Sequence, residues 1–232
     1  MLALSVNAQS GTVLSHQKIS STQGNFNGSL RNGSIFGQGL ANIGDLNGDG
    51  IDELAVGAQH GGIGAERSGA VWILFMNSDG TVKTSPPSQK IANGSGGFAG
   101  SLFLGDNFGN DITGIGDLDG DGVQDIAVGN AFRDDGGRNR GAVWILYMKN
   151  DGTVDRHQVI SSTDGGFTGL LRDGGRFGTS VNFLGDLNGD GFIELAVGAG
   201  LDDDGGTNKG AVWILSLNPN GTVRTHLKIS ET

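Results

Sequence analysis

Three stretches of the chain set oxygen-bearing side chains at alternate positions around glycines: DLNGDGIDE (Asp45 to Glu53), DLDGDGVQD (Asp117 to Asp125) and DLNGDGFIE (Asp186 to Glu194). In each, Asp or Asn fills positions 1, 3 and 5, glycine fills position 6, and Asp or Glu fills position 9. Carboxylate and amide oxygens are hard donors, and Ca²⁺ takes about six to eight of them. Alternate residues of a tight loop point inward, and glycine allows the sharp turn after position 5, so this spacing can build a cation cage. The predicted ligands of the first site are Asp45, Asn47, Asp49 and Glu53 with the Ile51 carbonyl. Those of the second are Asp117, Asp119, Asp121 and Asp125 with the Val123 carbonyl, and those of the third are Asp186, Asn188, Asp190 and Glu194 with the Phe192 carbonyl. About three Ca²⁺ ions are expected, with water completing each shell.

An EF-hand loop begins in the same way but needs a bidentate Glu at position 12 and a helix after it. Position 12 here is Val56, Val128 or Val197, inside an apolar run, which excludes that motif. Magnesium prefers a tight, water-rich octahedron over an all-protein cage. The competing reading is that Asp and Asn merely close hydrogen-bonded turns. Three loops in phase favour the cation. Glu53 and Glu194 are one methylene longer than Asp125, so unequal binding is expected across the three loops.

The loops recur because the chain does. GAVWIL stands at Gly69, Gly141 and Gly210, which are 72 and 69 residues apart, and the pairs Phe36-Gly37, Phe108-Gly109 and Phe177-Gly178 keep the same step. The three extra residues of the first interval coincide with Ser85-Pro86-Pro87, read as an enlarged turn at an exposed edge. LSVNAQSGTVLSHQKIS near the N-terminus matches LSLNPNGTVRTHLKIS near the C-terminus, so the chain is expected to start midway through a unit, which suits an excised part of something longer.

Each unit reads as four antiparallel strands: one entering at Phe-Gly, one such as Leu54 to Ala58, one such as Ala70 to Leu74, and one such as Thr153 to Ile160. No helical period appears. The third strand is apolar at every position, which in an antiparallel sheet implies cover on both faces. Sheets stacked face to face around an axis supply that cover, so the expected fold is all-β, built of β-propeller-type blades. A β-solenoid would use shorter rungs. The expected units are a partial blade over 1–20 holding the last two strands, then whole blades over 21–92, 93–161 and 162–232.

Composition narrows the function. The 232 residues include 45 glycines and no cysteine, and 25 Asp and Glu against 15 Lys and Arg give a net charge of −10. The glycine excess marks a turn-dense folded protein, and it lacks the every-third-residue period of collagen. The missing cysteines remove disulfides, thiolate zinc sites and cysteine nucleophiles. The acidic balance argues against nucleic acid and suits cations, and bound Ca²⁺ would offset more than half of it. No apolar run reaches the roughly 20 residues of a membrane span, and the N-terminus lacks the pattern of a secretory signal.

The Phe-Gly pairs together with DLNGDGIDELAVGA, DLDGDGVQDIAVGN and DLNGDGFIELAVGA resemble the FG-GAP repeats of integrin alpha-chain propellers and bacterial surface proteins. The likeness covers nearly the whole chain. It implies one four-stranded blade per repeat, Ca²⁺ in the loop between first and second strands, and ligand contact on the opposite face. That face would hold the loops 59–68, 131–140 and 200–209 and the connections before each Phe-Gly pair. Closed propellers use about four to eight blades, so three whole repeats cannot close an ordinary ring alone. A longer natural chain or self-association through the terminal blades is expected.

The function expected is therefore a calcium-binding, non-enzymatic, secreted module of the extracellular space or cell surface, structural or adhesive, with a protein or glycan ligand. The alternative is a carbohydrate-binding propeller or an accessory domain of a polysaccharide-degrading enzyme, and a third reading is the enzyme itself. His16, His157 and His226 hold matching repeat positions and His60 stands alone, which argues against a catalytic triad. Trp72, Trp144 and Trp213 lie inside the apolar strand and read as core rather than as a sugar platform. Arg133-Asp134-Asp135 and Asp202-Asp203-Asp204 read as solvated turns, with ligand contact or a further cation site as the alternative. Sequons at Asn27, Asn32, Asn93 and Asn220 allow glycosylation in a host that performs it.

Overall fold

The computed structural model describes Val13 and residues 15–62 and 67–231. The partial blade expected over 1–20 and the loop 59–68 fall partly outside these residues. Three four-stranded antiparallel sheets form in chain order. The first holds β1 (Phe36–Asn42), β2 (Leu54–Ala58), β3 (Val71–Leu74) and β4 (Gln89–Ile91). The second holds β5 (Ile112–Gly116), β6 (Asp125–Asn130), β7 (Ala142–Met148) and β8 (Val154–Ile160). The third holds β9 (Phe177–Gly185), β10 (Ile193–Ala199), β11 (Ala211–Leu217) and β12 (Val223–Ile229). Strands lie side by side in sequence order within every sheet, as in a propeller blade, and the three sheets do not close into a ring.

Each blade is tied by its own aromatic knot. Phe26, Phe98 and Phe167 meet Trp72, Trp144 and Trp213 edge-on, each pair with ring centres 5.1 Å apart. Gly28, Gly100 and Gly169 lie against these rings, where a Cβ would strike the Trp face. The three tryptophans are buried, as the sequence predicts. Burying such side chains contributes about 1.5–3 kcal/mol apiece.

The cores lie between the blades. Ile73, Phe75 and Ile91 of the first sheet pack with Phe108, Ile112 and Val128 of the second, and Ile145, Tyr147 and Ile160 of the second pack with Phe177, Val181 and Val197 of the third. Apolar cover on both faces therefore holds for β3 and β7, which are buried throughout. It fails for β11, where Val212 is exposed because no fourth blade covers it.

Two strand expectations also need correction. In the second blade the first strand starts at Ile112, and Phe108 instead forms a parallel bridge to Gly69 of the first blade, as Phe177 does to Gly141. The fourth strand of the first blade shrinks to Gln89–Ile91, because the chain bends at 84–86 where Pro86 and Pro87 cannot supply ladder N–H groups.

Candidate metal centres

The acidic loops join β1 to β2, β5 to β6 and β9 to β10, at the same end of each blade. Their local geometry repeats three times. Asp45 accepts hydrogen bonds from the backbone N–H groups of Gly48, Asp49 and Gly50 at 2.8, 3.1 and 2.8 Å. Asp117 accepts from Gly120, Asp121 and Gly122, and Asp186 from Gly189, Asp190 and Gly191, all within 2.7–3.1 Å. Such donors favour the charged carboxylate, and those on Asp186, led by Gly191, hold its pKa below the usual carboxylate value. The glycines at positions 4 and 6 both adopt positive φ, for example 81° at Gly120 and 90° at Gly122, so the loop needs glycine twice and not only at position 6.

Positions 3 and 5 close the turn further. Asn47, Asp119 and Asn188 accept from the N–H of Asp49, Asp121 and Asp190. Asp49, Asp121 and Asp190 in turn accept from the N–H of Ile51, Val123 and Phe192, the residues at position 7. These are the bonds that a simple turn reading requires. Position 9 is different. Glu53, Asp125 and Glu194 are only 1%, 1% and 4% exposed, and among the described residues none makes an ion pair.

The buried carboxylates are held by few donors, and Glu194 keeps one oxygen without any. Glu53 accepts from Leu46 N–H and, at 3.3 Å, from the Asn47 amide, and Asp125 accepts from Leu118 and Met148 N–H. Glu194 accepts from Leu187 N–H through one oxygen, while its Oε1 is buried without a partner. Burial pushes the pKa of Glu53 up and that of Asp125 up to about 7, against the pull of those N–H groups. In the second loop Asp117, Asp119 and Asp125 each offer an oxygen, all within 4.8 Å of one another. Three carboxylates converging on one point, the buried Asp125 without a counter-charge among the described residues, are the arrangement that a hard cation would stabilise.

One feature of the loops escapes sequence reading. A basic residue after each Thr-Val of the fourth-strand segment reaches back to the loop of its own blade: Lys83 pairs with Asp49, Arg156 with Asp119 at 2.7 Å, and Arg224 with Asp190 at 2.8 Å. The Lys83 hydrogen bond is the largest cause holding Asp49 below the usual carboxylate value. The pattern was visible as the repeated Thr-Val register, but Asp155 takes the first place after it in the second blade and shifts the base by one.

The opposite ends of the blades carry a different chemistry. A cation stands over each tryptophan ring: Lys90 at 5.7 Å from Trp72, Arg133 at 5.2 Å from Trp144 and Lys228 at 5.1 Å from Trp213. Arg133 is buried and also bonds Asp135, Asp106 and the Ser101 carbonyl. Asp202 is 1% exposed and receives Lys228 at 2.9 Å. Neither position is a solvated turn, which corrects the sequence expectation, although Asp134 and Asp203 do close local turns on Asn139 and Asn208. His157 and His226 pack against the Trp144 and Trp213 rings, and burial lowers the pKa of His157.

A family model described as FG-GAP repeat matches residues 36–74, 108–146 and 177–215. The chain is 33% identical over 168 residues to integrin alpha-3 of Cricetulus griseus, covering 72% of this chain and 14% of that protein. It is 34% identical over 182 residues to integrin alpha-5 of Xenopus laevis, covering 73% of this chain and 15% of that protein. It is 39% identical over 94 residues to integrin alpha pat-2 of Caenorhabditis elegans, covering 40% of this chain and 7% of that protein. The chain thus spans at most about a sixth of the length of these three relatives.

Proposed function

The chain belongs to the FG-GAP repeat family, and from that premise we propose that it is a calcium-stabilised, non-enzymatic module of the extracellular space or cell surface that serves adhesion or structure. The observation that carries the calcium reading is the set of buried position-9 carboxylates, Glu53, Asp125 and Glu194, none with an ion-pair partner among the described residues. Asp45, Asn47, Asp49 and Glu53 hold the first ion with the Ile51 carbonyl. Asp117, Asp119, Asp121 and Asp125 hold the second with Val123, and Asp186, Asn188, Asp190 and Glu194 hold the third with Phe192. Bound Ca²⁺ supplies a divalent charge that compensates these carboxylates. The residues themselves fix the β1–β2, β5–β6 and β9–β10 connections through their backbone hydrogen bonds, and Lys83, Arg156 and Arg224 balance the charge left at the rim.

The other face suits a protein ligand. Phe103, Leu104 and Leu170 on the connections before Phe108 and Phe177 are 60%, 74% and 67% exposed, which offers apolar anchors to a protein surface. The buried tryptophans leave no stacking platform for sugars at those positions. Calorimetric titration of the metal-free chain with Ca²⁺ is expected to give about three bound ions and a raised unfolding midpoint. An unchanged midpoint and no binding heat would overturn the calcium reading, and reproducible binding on a glycan array would replace the protein ligand by a carbohydrate.

A further inference from the structure

The blades are joined by a repeated junction, and the third blade presents the receiving half of that junction to solvent. At the first junction the turn before β8 seats Gly152 against Ile73, Phe75 and Gln89 of the preceding blade. At the second, Gly221 in the turn before β12 lies against Ile145, Tyr147 and Gln158, and the Tyr147 hydroxyl donates to the Pro219 carbonyl at 2.8 Å. Nearer the inner strands, the Phe108 carbonyl abuts Gly69 and the Phe177 carbonyl abuts Gly141, while the Gly109 and Gly178 carbonyls abut Gly57 and Gly129. None of these four receiving glycines leaves room for a Cβ.

The third blade repeats the receiving positions as Gly198, Gly210, Ile214 and Leu227, and among the described residues no other blade lies against Gly198 or Gly210. A groove lined by Leu187, Ile214, Ser216 and Leu227 lies where the glycine turn sits in both junctions. Ile229 is 55% exposed, whereas its counterparts Ile91 and Ile160 are fully buried, and Val212 is 41% exposed where Val71 and Val143 are buried. On this face Leu227 replaces Gln89 and Gln158, while Ser216 replaces Phe75 and Tyr147, which leaves a recess beside Ile214 and Leu227.

The same chain carries the complementary half on its first blade. Leu40 is 59% exposed, against 3% and 4% for its counterparts Ile112 and Val181. No described residue meets a Cβ built on Gly37, whereas Gly109 and Gly178 press on the Ala70 and Ala142 carbonyls. Beside the Gly80 turn, Ser15 to Lys18 are exposed and outside any ladder, and among the described residues only Gln17 approaches it, so this segment can yield to a docked blade.

We propose that the outer face of the third blade binds the Phe36–Leu40 face of a second copy of this chain, head to tail. Such a contact joins unlike surfaces, so it propagates until a ring closes or a filament grows. The test is sedimentation velocity of the 232-residue chain with calcium present, with circular dichroism confirming that each variant is folded. The wild type is expected to sediment above the monomer mass and to gain mass with concentration. Leu227→Glu with Ile229→Glu, on exposed positions of the receiving face, is expected to give a monomer, and so is Leu40→Glu on the other face. An equimolar mixture of the two variants retains one intact pair of faces and is expected to form a one-to-one dimer. A monomeric wild type at about 100 µM overturns the proposal, as does a mixture that stays monomeric or variants that associate like the wild type.

Discussion

The Arg133 guanidinium lies 5.2 Å from the centre of the Trp144 ring, in the role that Lys90 and Lys228 fill over Trp72 and Trp213. The lysines stand on β4 and β12, but the matching residue of β8 is Val159, and the cation comes instead from the β6–β7 loop at the position that holds Asp202 in the third blade. Two blades thus reach one arrangement by exchanged residues, Arg133 with Val159 and Asp202 with Lys228.

That exchange predicts a rescue. Arg133→Asp removes the cation and places a carboxylate beside Asp106, which burial already pushes above its ordinary pKa, and Asp135. Breaking a buried pair in this way costs about 3–5 kcal/mol. Adding Val159→Lys recreates the arrangement of the third blade and is expected to recover at least about 1 kcal/mol, read as the coupling in a double-mutant cycle of urea unfolding. Additive losses would show that the Asp202–Lys228 arrangement does not transfer between blades.

Calcium removal should be the largest single perturbation of stability. At free calcium about 100 times the dissociation constant, each site stabilises the folded state by about 2.7 kcal/mol, so chelation should lower the unfolding midpoint markedly. Asp45→Ala, Asp117→Ala and Asp186→Ala are each expected to lower the bound calcium by one ion while leaving the other two sites intact. Calorimetric stoichiometry checks this, and a variant that still binds the full complement would remove that loop from the ligand set.

Much of this was legible in the sequence, and the reason is the repeat. A pattern such as GAVWIL, written three times, fixes strand order, phase and the acidic loops together, so the three sheets and the position-9 carboxylates emerged where the spacing put them. What stayed hidden depends on contacts between positions with no fixed spacing. Arg133 and Val159 exchange roles with Asp202 and Lys228 across two elements, which a comparison made position by position reads as unrelated variation. Arg156 stands one residue out of register with Lys83 and Arg224. The open face of the third blade follows from the count of three whole repeats, although β11 itself, apolar like β7, gives no sign of it.

The second loop should couple calcium to a proton. Burial raises Asp125 to about 7 from an ordinary value of 3.8. Between about pH 4 and 7 the folded metal-free chain therefore keeps a proton that the unfolded chain has lost, which stabilises it in acid, and this contribution disappears as pH rises through 7. Calcium needs the deprotonated carboxylate, so the affinity of this site should rise by up to about tenfold per pH unit below 7 and level off above it. Calorimetry near pH 5.5 and 7.5, in buffers of different ionisation enthalpy, should detect release of about one proton near pH 6, and Asp125→Asn should abolish that release. Equal affinity at both pH values would show that Asp125 is not a ligand.

The glycines of the second strands predict a contrast between positions that a sequence alone treats as equal. Gly129 and Gly198 occupy matching places in β6 and β10, and neither needs a positive φ, so a difference between them can come only from what lies opposite. A Cβ on Gly129 would run into the Gly178 carbonyl of the next blade, a backbone atom held by the Asn110 amide and unable to retreat without parting the sheets. On Gly198 it would meet the Ser180 hydroxyl of its own blade, which can rotate away. Gly129→Ala should therefore cost about 1–3 kcal/mol or more, as overpacking does, whereas Gly198→Ala should cost less than about 1 kcal/mol in the monomer. Urea unfolding of the two variants decides it: equal losses would mean that the blades do not meet through the Gly129 and Gly178 backbones.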